Sequence, residues 1–236
     1  MTGSVDNPSR VTLIANGSMP AGADIGYQSV NGNNVADSSF GSYFSASQDF
    51  HIAIDFSLNT VTSSGITAIG FGIGEDSAGT NSAGVLLAVL DTGLRVFSGA
   101  RRIDDASLIQ FLGPAPTTSG RFFVRYESLS GDIIFGVNTT PGSTTPSNTG
   151  TFSDTFSGIQ KLWKGDELLA SFFLRSGDPG LASSMTSATA SAVFSNFEVL
   201  EGLPVSLVPL PPAIWLFGFG LSGLFGIARR KARSAS

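Results

Sequence analysis

The stretch DFHIAIDFSL, residues 49–58, alternates with a period of two. Phe50, Ile52, Ile54, Phe56 and Leu58 fall on one side, and His51, Ala53, Asp55 and Ser57 on the other. Successive side chains of a strand point to opposite faces, so this segment is a strand with one buried face and one polar face. Such a face cannot be buried alone; it demands a second sheet. RFFVRYES (121–128) sets Phe122, Val124 and Tyr126 against Phe123, Arg125 and Glu127, and SGDIIFGVN follows at once. The pair reads as a hairpin turning over Ser130, Gly131 and Asp132. GVLLAVLDTGLRVFSG reads as a second hairpin, turning at Asp91, Thr92 and Gly93. Further strands are predicted at Val11–Ala15, Ile66–Ile73, Leu168–Arg175 and Ala188–Leu200, with one or two helical turns at Thr155–Leu162. Ten to twelve short strands with glycine-rich turns predict an all-β sandwich or barrel. The low-complexity run Asn138–Gly150 is expected to be a surface loop within one domain, because neither half alone supplies enough strands to close a sandwich.

Composition excludes several function classes. Charged residues make up 13% of the 236, about half the usual share, while hydrophobic residues reach 42%. Four of the 13 basic residues, Arg229, Arg230, Lys231 and Arg233, stand in the last eight positions. Before them, nine basic face 18 acidic groups, a formal charge of −9. A body of that sign repels nucleic acid and anionic lipid. There is no cysteine, hence no disulfide or thiol chemistry.

The C-terminal segment, residues 204–236, has its own character. No charged side chain occurs from Leu203 to Ala228. Pro209, Pro211 and Pro212 confine any helix to the residues after them, since proline is tolerated only in a first turn. The 16 residues Ala213–Ala228 would span about 24 Å as a helix, short for a bilayer core of about 30 Å. A membrane anchor, a buried core helix and an address read by another protein are the three readings. Ile214, Trp215, Leu216, Phe217, Phe219, Leu221, Leu224, Phe225 and Ile227 cover most of the circumference, which disfavours an amphipathic core helix. The basic cluster fixes a cytoplasmic end, placing everything before residue 208 across the membrane. Gly218, Ser222 and Gly226 recur at i+4, a face that lets a partner helix approach closely.

Val208, Pro209, Leu210, Pro211 and Pro212, the short Trp/Phe/Leu/Gly helix and the terminal basic cluster together resemble the PEP-CTERM sorting signal in its VPLPA-like variant. The departures are Leu210, where the Pro-Glu-Pro form has an acid, and Pro212, where the variant usually has alanine. The resemblance implies export by a Gram-negative bacterium, brief retention in the inner membrane and processing by exosortase. It also implies an association with exopolysaccharide and biofilm, at the envelope surface or in the matrix. The first 22 residues show no basic segment followed by 7–15 apolar residues, so an upstream segment is expected to carry the export signal.

Within residues 1–203, RVTLIANG, GFGIGEDSAG, FFVRYESLSGDIIFGVN, LLASFFLRSG and SAVFSNFEVLEG resemble concanavalin A-like lectin and glucanase domains. The resemblance implies a jelly-roll sandwich in which the terminal strands pair.

Candidate chemistry is sparse. The one histidine, His51, lies mid-strand and reads as solvent-facing; with no cysteine, it cannot form a His/Cys zinc site. None of Glu75, Glu127, Glu167, Glu198 and Glu201 is followed two residues later by aspartate, so the Glu-x-Asp-x-x-Glu strand that glucanases of the resembled fold carry is absent. Glu75, Asp76 and Asn81 share a glycine-rich loop whose oxygens suit calcium, although a solvated turn is the simpler reading. Arg101, Arg102, Asp104 and Asp105 read as surface pairs. Trp163, the one tryptophan outside the tail, can either fill the core or stack on a sugar ring. The expectation is a non-catalytic exported protein that binds exopolysaccharide. The alternatives are a polysaccharide hydrolase or lyase using carboxylates from distant strands, and a purely structural surface protein.

Overall fold

In the computed structural model, two antiparallel sheets cover each other's apolar faces. The structure describes residues 2–7, 10–19, 23–27, 42–61, 67–75, 81–90, 93–103, 106–115, 117–139, 151–176 and 185–206. In chain order the strands are β1 (Thr2–Asn7), β2 (Arg10–Met19), β3 (Ala23–Tyr27), β4 (Ser42–Ser45), β5 (Phe50–Val61), β6 (Thr67–Glu75), β7 (Ser82–Leu90) and β8 (Gly93–Ile103). They continue with β9 (Ala106–Pro114), β10 (Ser119–Glu127), β11 (Asp132–Asn138), β12 (Thr151–Phe156), β13 (Glu167–Ser176), β14 (Met185–Glu201) and β15 (Val205–Ser206). A 3-10 turn occupies Ile159–Leu162. One sheet runs β1-β2-β14-β5-β10-β11-β12; the other runs β15-β4-β13-β6-β7-β8-β9, with β3 also paired to β13. The early strand β2 and the late strand β14 pair antiparallel, with Ala190 opposite Ala15.

Phe50, Ile52, Ile54, Phe56 and Leu58 of β5 are all buried between the sheets, as their alternation requires. They meet Ile69, Phe71 and Ile73 of β6 and Phe172 of β13 within one core. Phe56 stacks on Phe122 at 4.1 Å, and Phe172 packs on Phe194 at 4.7 Å, the latter joining the two sheets. Each pair adds about 0.5–1.5 kcal/mol beyond the area it buries.

The chain departs from its sequence reading at three places. The β10–β11 turn occupies residues 128–131 rather than 130–132, because Asp132 already pairs with Glu127 while its carboxylate accepts the Gly158 N–H at 2.6 Å. Gly131 closes that turn at φ +76°, and a Cβ there would meet Lys161 Cγ at 2.7 Å, so only glycine fits. The turns expected at 155–162 shrink to Ile159–Leu162, because Phe156 extends β12 opposite Ile133 and packs on Phe135. The strands β1, β3, β4, β9, β12 and β15 lie outside the predicted set. Residues 140–150 of the low-complexity run lie outside the described residues, but the strands on either side of it are neighbours in one sheet.

The chain falls into two units, 1–206 and 207–236. The second lies outside the described residues, and with it the motif Val208–Pro212, the helix face Gly218, Ser222 and Gly226, and the basic cluster Arg229, Arg230, Lys231 and Arg233. Among the described residues, no helix is long and apolar enough to cross a membrane.

Tyr126 ties the core to one end of the sandwich. Its hydroxyl lies 2.8 Å from the Ala46 carbonyl oxygen and 3.1 Å from Gln160 Oε1, and burial, with Asp49 and Asp166 nearby, pushes its pKa up to about 12. Tyr126→Phe removes the buried donor and is expected to cost about 1–3 kcal/mol, read as a lower urea midpoint at unchanged m-value.

Candidate functional site

The outward face of the eight-stranded sheet carries an unusual cross-strand pattern. Register aligns Ser171, Gly72, Gly84 and Gly99 in one row. The adjacent row holds Phe173, Gly70, Leu86, Phe97 and Phe111, and the next holds Arg175, Ala68, Ala88 and Arg95. A Cβ at Gly84 would stand 2.7 Å from the Phe71 carbonyl oxygen, and one at Gly72 would overlap that of Ala83, so this part of the face must stay bare. The Phe173 ring lies over Gly70, with the Arg175 guanidinium carbon 4.6 Å from its centroid. Ala68, Ala88 and Phe97, with Leu86 and Leu90, form a second apolar cluster separate from the main core. Phe111 adjoins it, 5.6 Å from Phe97 by ring centroids and 58% exposed. The result is an apolar face whose exposed part is the Phe111 edge; Ala68, Ala88, Phe97, Phe173 and Ser171 are buried, and Arg95 and Arg175 are half-buried in the border row. In β3, Asp24 stands opposite Arg175 and adds an acid to that row.

The opposite outward face, on the seven-stranded sheet, is polar but tied up. Arg121, 2% exposed, donates to Asp55 Oδ1 at 3.0 Å and to Glu198 Oε2 at 2.6 Å. Asn196 occupies the left-handed region at φ 51° and donates to Asp55 Oδ2 at 2.9 Å. It sits in a bulge of β14, where the register against β5 shifts between Ser195 and Glu198. The bulge re-aims side chains, so Asn196 and Glu198 reach the same ion cluster. His51 faces outward on β5 but is half-buried, edge-on to Phe123 at 6.1 Å, with Nε2 unpartnered. Burial first, then the Arg125 and Arg121 charges, pull its pKa below the usual histidine range; Glu201 opposes them.

Three sequence-predicted residues have other partners than expected. Glu75 is fully buried: its Oε1 accepts the Asn81 backbone N–H at 3.1 Å and Nδ2 at 2.8 Å, while Oε2 accepts the Lys164 and Gly165 N–H groups at 2.7 and 2.9 Å. Four donors match the four lone-pair positions of a carboxylate, so Glu75 has none left for calcium. Asn81 is buried with it, and Asp76 lies outside the described residues. No group of three potential metal ligands occurs among the described residues. Trp163 is 7% exposed and belongs to the main core, which leaves too little ring in solvent for sugar stacking. Among the described residues the exposed large aromatic is Phe111, missed because its strand β9 is itself not predicted from the sequence.

No protein-family model matches the chain, and no curated protein matches it. Among solved structures, a glycoside hydrolase family 16 endo-glucanase from Bacteroides ovatus is similar at a TM-score of 0.51 and 10% identity, over 84% of each chain. Alginate lyase A1-II′ aligns at a TM-score of 0.46 and 17% identity, over 84% of this chain and 81% of its own. An alginate lyase from Pseudomonas aeruginosa aligns at 0.42 and 16%, over 67% and 68%. These neighbours are concanavalin A-like sandwich enzymes. The chain shares their architecture: it is an all-β jelly-roll sandwich of two sheets.

Glu75→Gln places an N–H group against donors and is expected to cost about 1–3 kcal/mol in a urea titration. Added calcium is expected to leave the melting temperature unchanged in both forms; a calcium-dependent rise lost in Glu75→Gln would mean the carboxylate ligates metal. His51 supplies a pH dependence. Between its lowered pKa and the ordinary 6.5, the unfolded chain holds a proton that the folded chain lacks. This part of the stability is therefore complete above about pH 6.5 and falls as the pH drops through that window. Melting temperature is expected to decline from about pH 7 to about pH 5, and less steeply in His51→Gln.

Proposed function

We propose that the protein binds extracellular polysaccharide without cleaving it, and that its tail is an exosortase-type address. The exposed edge at Phe111 carries this reading. Sugar rings present flat C–H faces that pack on aromatic and apolar surfaces, and the Phe111 ring, 58% exposed and backed by the buried Phe97, offers such a surface. The described carboxylates near either face serve the fold: Asp55 and Glu198 hold Arg121, and Asp154 accepts from Ser98 at 2.6 Å and Thr155 at 2.8 Å. Export, passage through the inner membrane and residence in the envelope or matrix rest on the resemblance of Val208–Pro212 and the basic cluster to a sorting signal.

One observation favours the enzymatic reading, a polysaccharide lyase or hydrolase. His51 is kept neutral on the polar face, as a proton acceptor needs, and stands near the charges of Arg121 and Arg125. The solved neighbour from Bacteroides ovatus is an endo-glucanase on this fold.

A glycan array read beside a reducing-end assay separates the two. The expected result is binding with no new reducing ends, weakened at least about tenfold in Phe111→Ser, the loss of one aromatic contact. New reducing ends that vanish in His51→Ala would establish catalysis instead. In the native host, intact mass is expected to show a mature chain ending near residues 208–212; retention of Arg229–Lys231 would make the tail a plain anchor.

A further inference from the structure

Exposed large apolar side chains are few among the described residues, and they are not scattered. Leu129 is 96% exposed, Leu203 77%, Leu162 45% and Val205 39%; only Phe111 lies elsewhere. Hydrogen bonds and pairings gather these four at one end of the sandwich. Asp49, in the β4–β5 turn, accepts the Ser128 N–H at 2.7 Å and its hydroxyl at 2.6 Å, fixing the turn that carries Leu129. Lys161 Nζ donates to the Ser128 carbonyl at 2.7 Å, and the Gln160 N–H donates to Gly131 at 3.2 Å, which brings the 3-10 turn and Leu162 alongside. Gly202 abuts Asp49 and Phe50, and Val205 pairs with Tyr43, which places Leu203 and Val205 beside the same turns. A shallow depression bordered by Ser47, Leu129, Lys161 and Asp166 lies among them.

This is also the end from which the chain leaves the sandwich at Ser206. The sequence continues without charge to Ala228 before reaching the basic cluster. Six residues, Leu207–Pro212, separate the sandwich from the first position a helix can occupy, and fully extended they reach about 20 Å at most. Singly exposed leucines need no explanation, but three on adjacent turn tips at the tether point do.

We propose that this end of the sandwich is a lipid-docking surface. Leu129, Leu162 and Leu203 insert into the headgroup boundary of the bilayer while the C-terminal segment holds the chain to it. The inference rests on the membrane reading of the tail and adds an orientation: the sandwich stands with its strands upright, turn tips down, and the face with Phe111 points sideways into the medium. Asp49, Asp132 and Asp166 flank the tips together with the exposed Lys161 and Lys164, a mixed-charge rim that suits a zwitterionic layer. Retention is therefore tight only while the tail is present, since a few leucines hold a protein to lipid weakly and reversibly. Removing the tail frees the sandwich.

The absence of cysteine permits a direct test. Single cysteines replace Leu129, Leu162 or, as a reference, Thr118 in the full chain, each labelled with an environment-sensitive fluorophore. Thr118 is exposed at the opposite end of β10, about 30 Å away along nine residues of strand. The chains are reconstituted into phosphatidylcholine vesicles, and flotation confirms that the tail holds them. The expected result is a blue-shifted emission at 129 and 162 that nitroxide-labelled lipid quenches, and no quenching at 118. Flotation with 129 and 162 as unquenched as 118 would overturn the docking surface while leaving the tail reading intact. Failure to float would overturn the tail reading and the docking with it.

Discussion

Everything in this molecule hangs on the apolar layer between the two sheets, and β5 is its floor. Sheets that pack face to face lie about 10 Å apart, a gap that large side chains from both must fill. Here aromatic rings fill it: Phe56 on Phe122 within one sheet, Phe172 on Phe194 between sheets, and Phe50 between Phe44 and Tyr126 toward one end. Because that layer reaches the tips of the strands, the turns can be tied to it. Tyr126 reaches Ala46 and Gln160 from the core, and Asp49 ties the β4–β5 turn to the β10–β11 turn. The end of the sandwich is thus as well specified as its centre.

A chain with so few charges uses several of them in the fold. Glu75 and Arg121 are both buried, each supplied with partners from distant parts of the sequence. Breaking a buried pair from one side costs about 3–5 kcal/mol, far more than the pair itself contributes, so these positions are constrained whatever the protein binds. The consequence reaches function. Among the described residues, Asp55 and Glu198 hold Arg121, and Glu75 holds backbone N–H groups and the Asn81 amide. The proposed binding surface is the apolar edge at Phe111.

The surfaces proposed for recognition and for attachment are different ones. Phe111 and the glycine row belong to the broad face of one sheet; the exposed leucines belong to the strand tips where the chain leaves for its C-terminal segment. Strands running from tip to tip separate the two, so one can engage a polymer while the other meets a bilayer.

Local pattern alone determined the central strands of this protein. Period-two alternation in β5 and β10, and the hairpins β7–β8 and β10–β11, are visible without a structure, because a side-chain period of two is a property of the chain itself. Tertiary structure decided what lies beside what. Asp55 and Arg121 are 66 residues apart, and Arg121 and Glu198 are 77. Nothing local predicts that they meet, or that Glu75 finds two N–H groups some 90 residues on. The same holds for burial of aromatics: Trp163 sank into the core and Phe111 stayed out, because exposure depends on a strand's place in its sheet. Strands β3, β4 and β15 were invisible, being two to five residues long and held mainly by neighbours distant in sequence. Periodicity fixes which way a side chain points; only packing fixes what it points at.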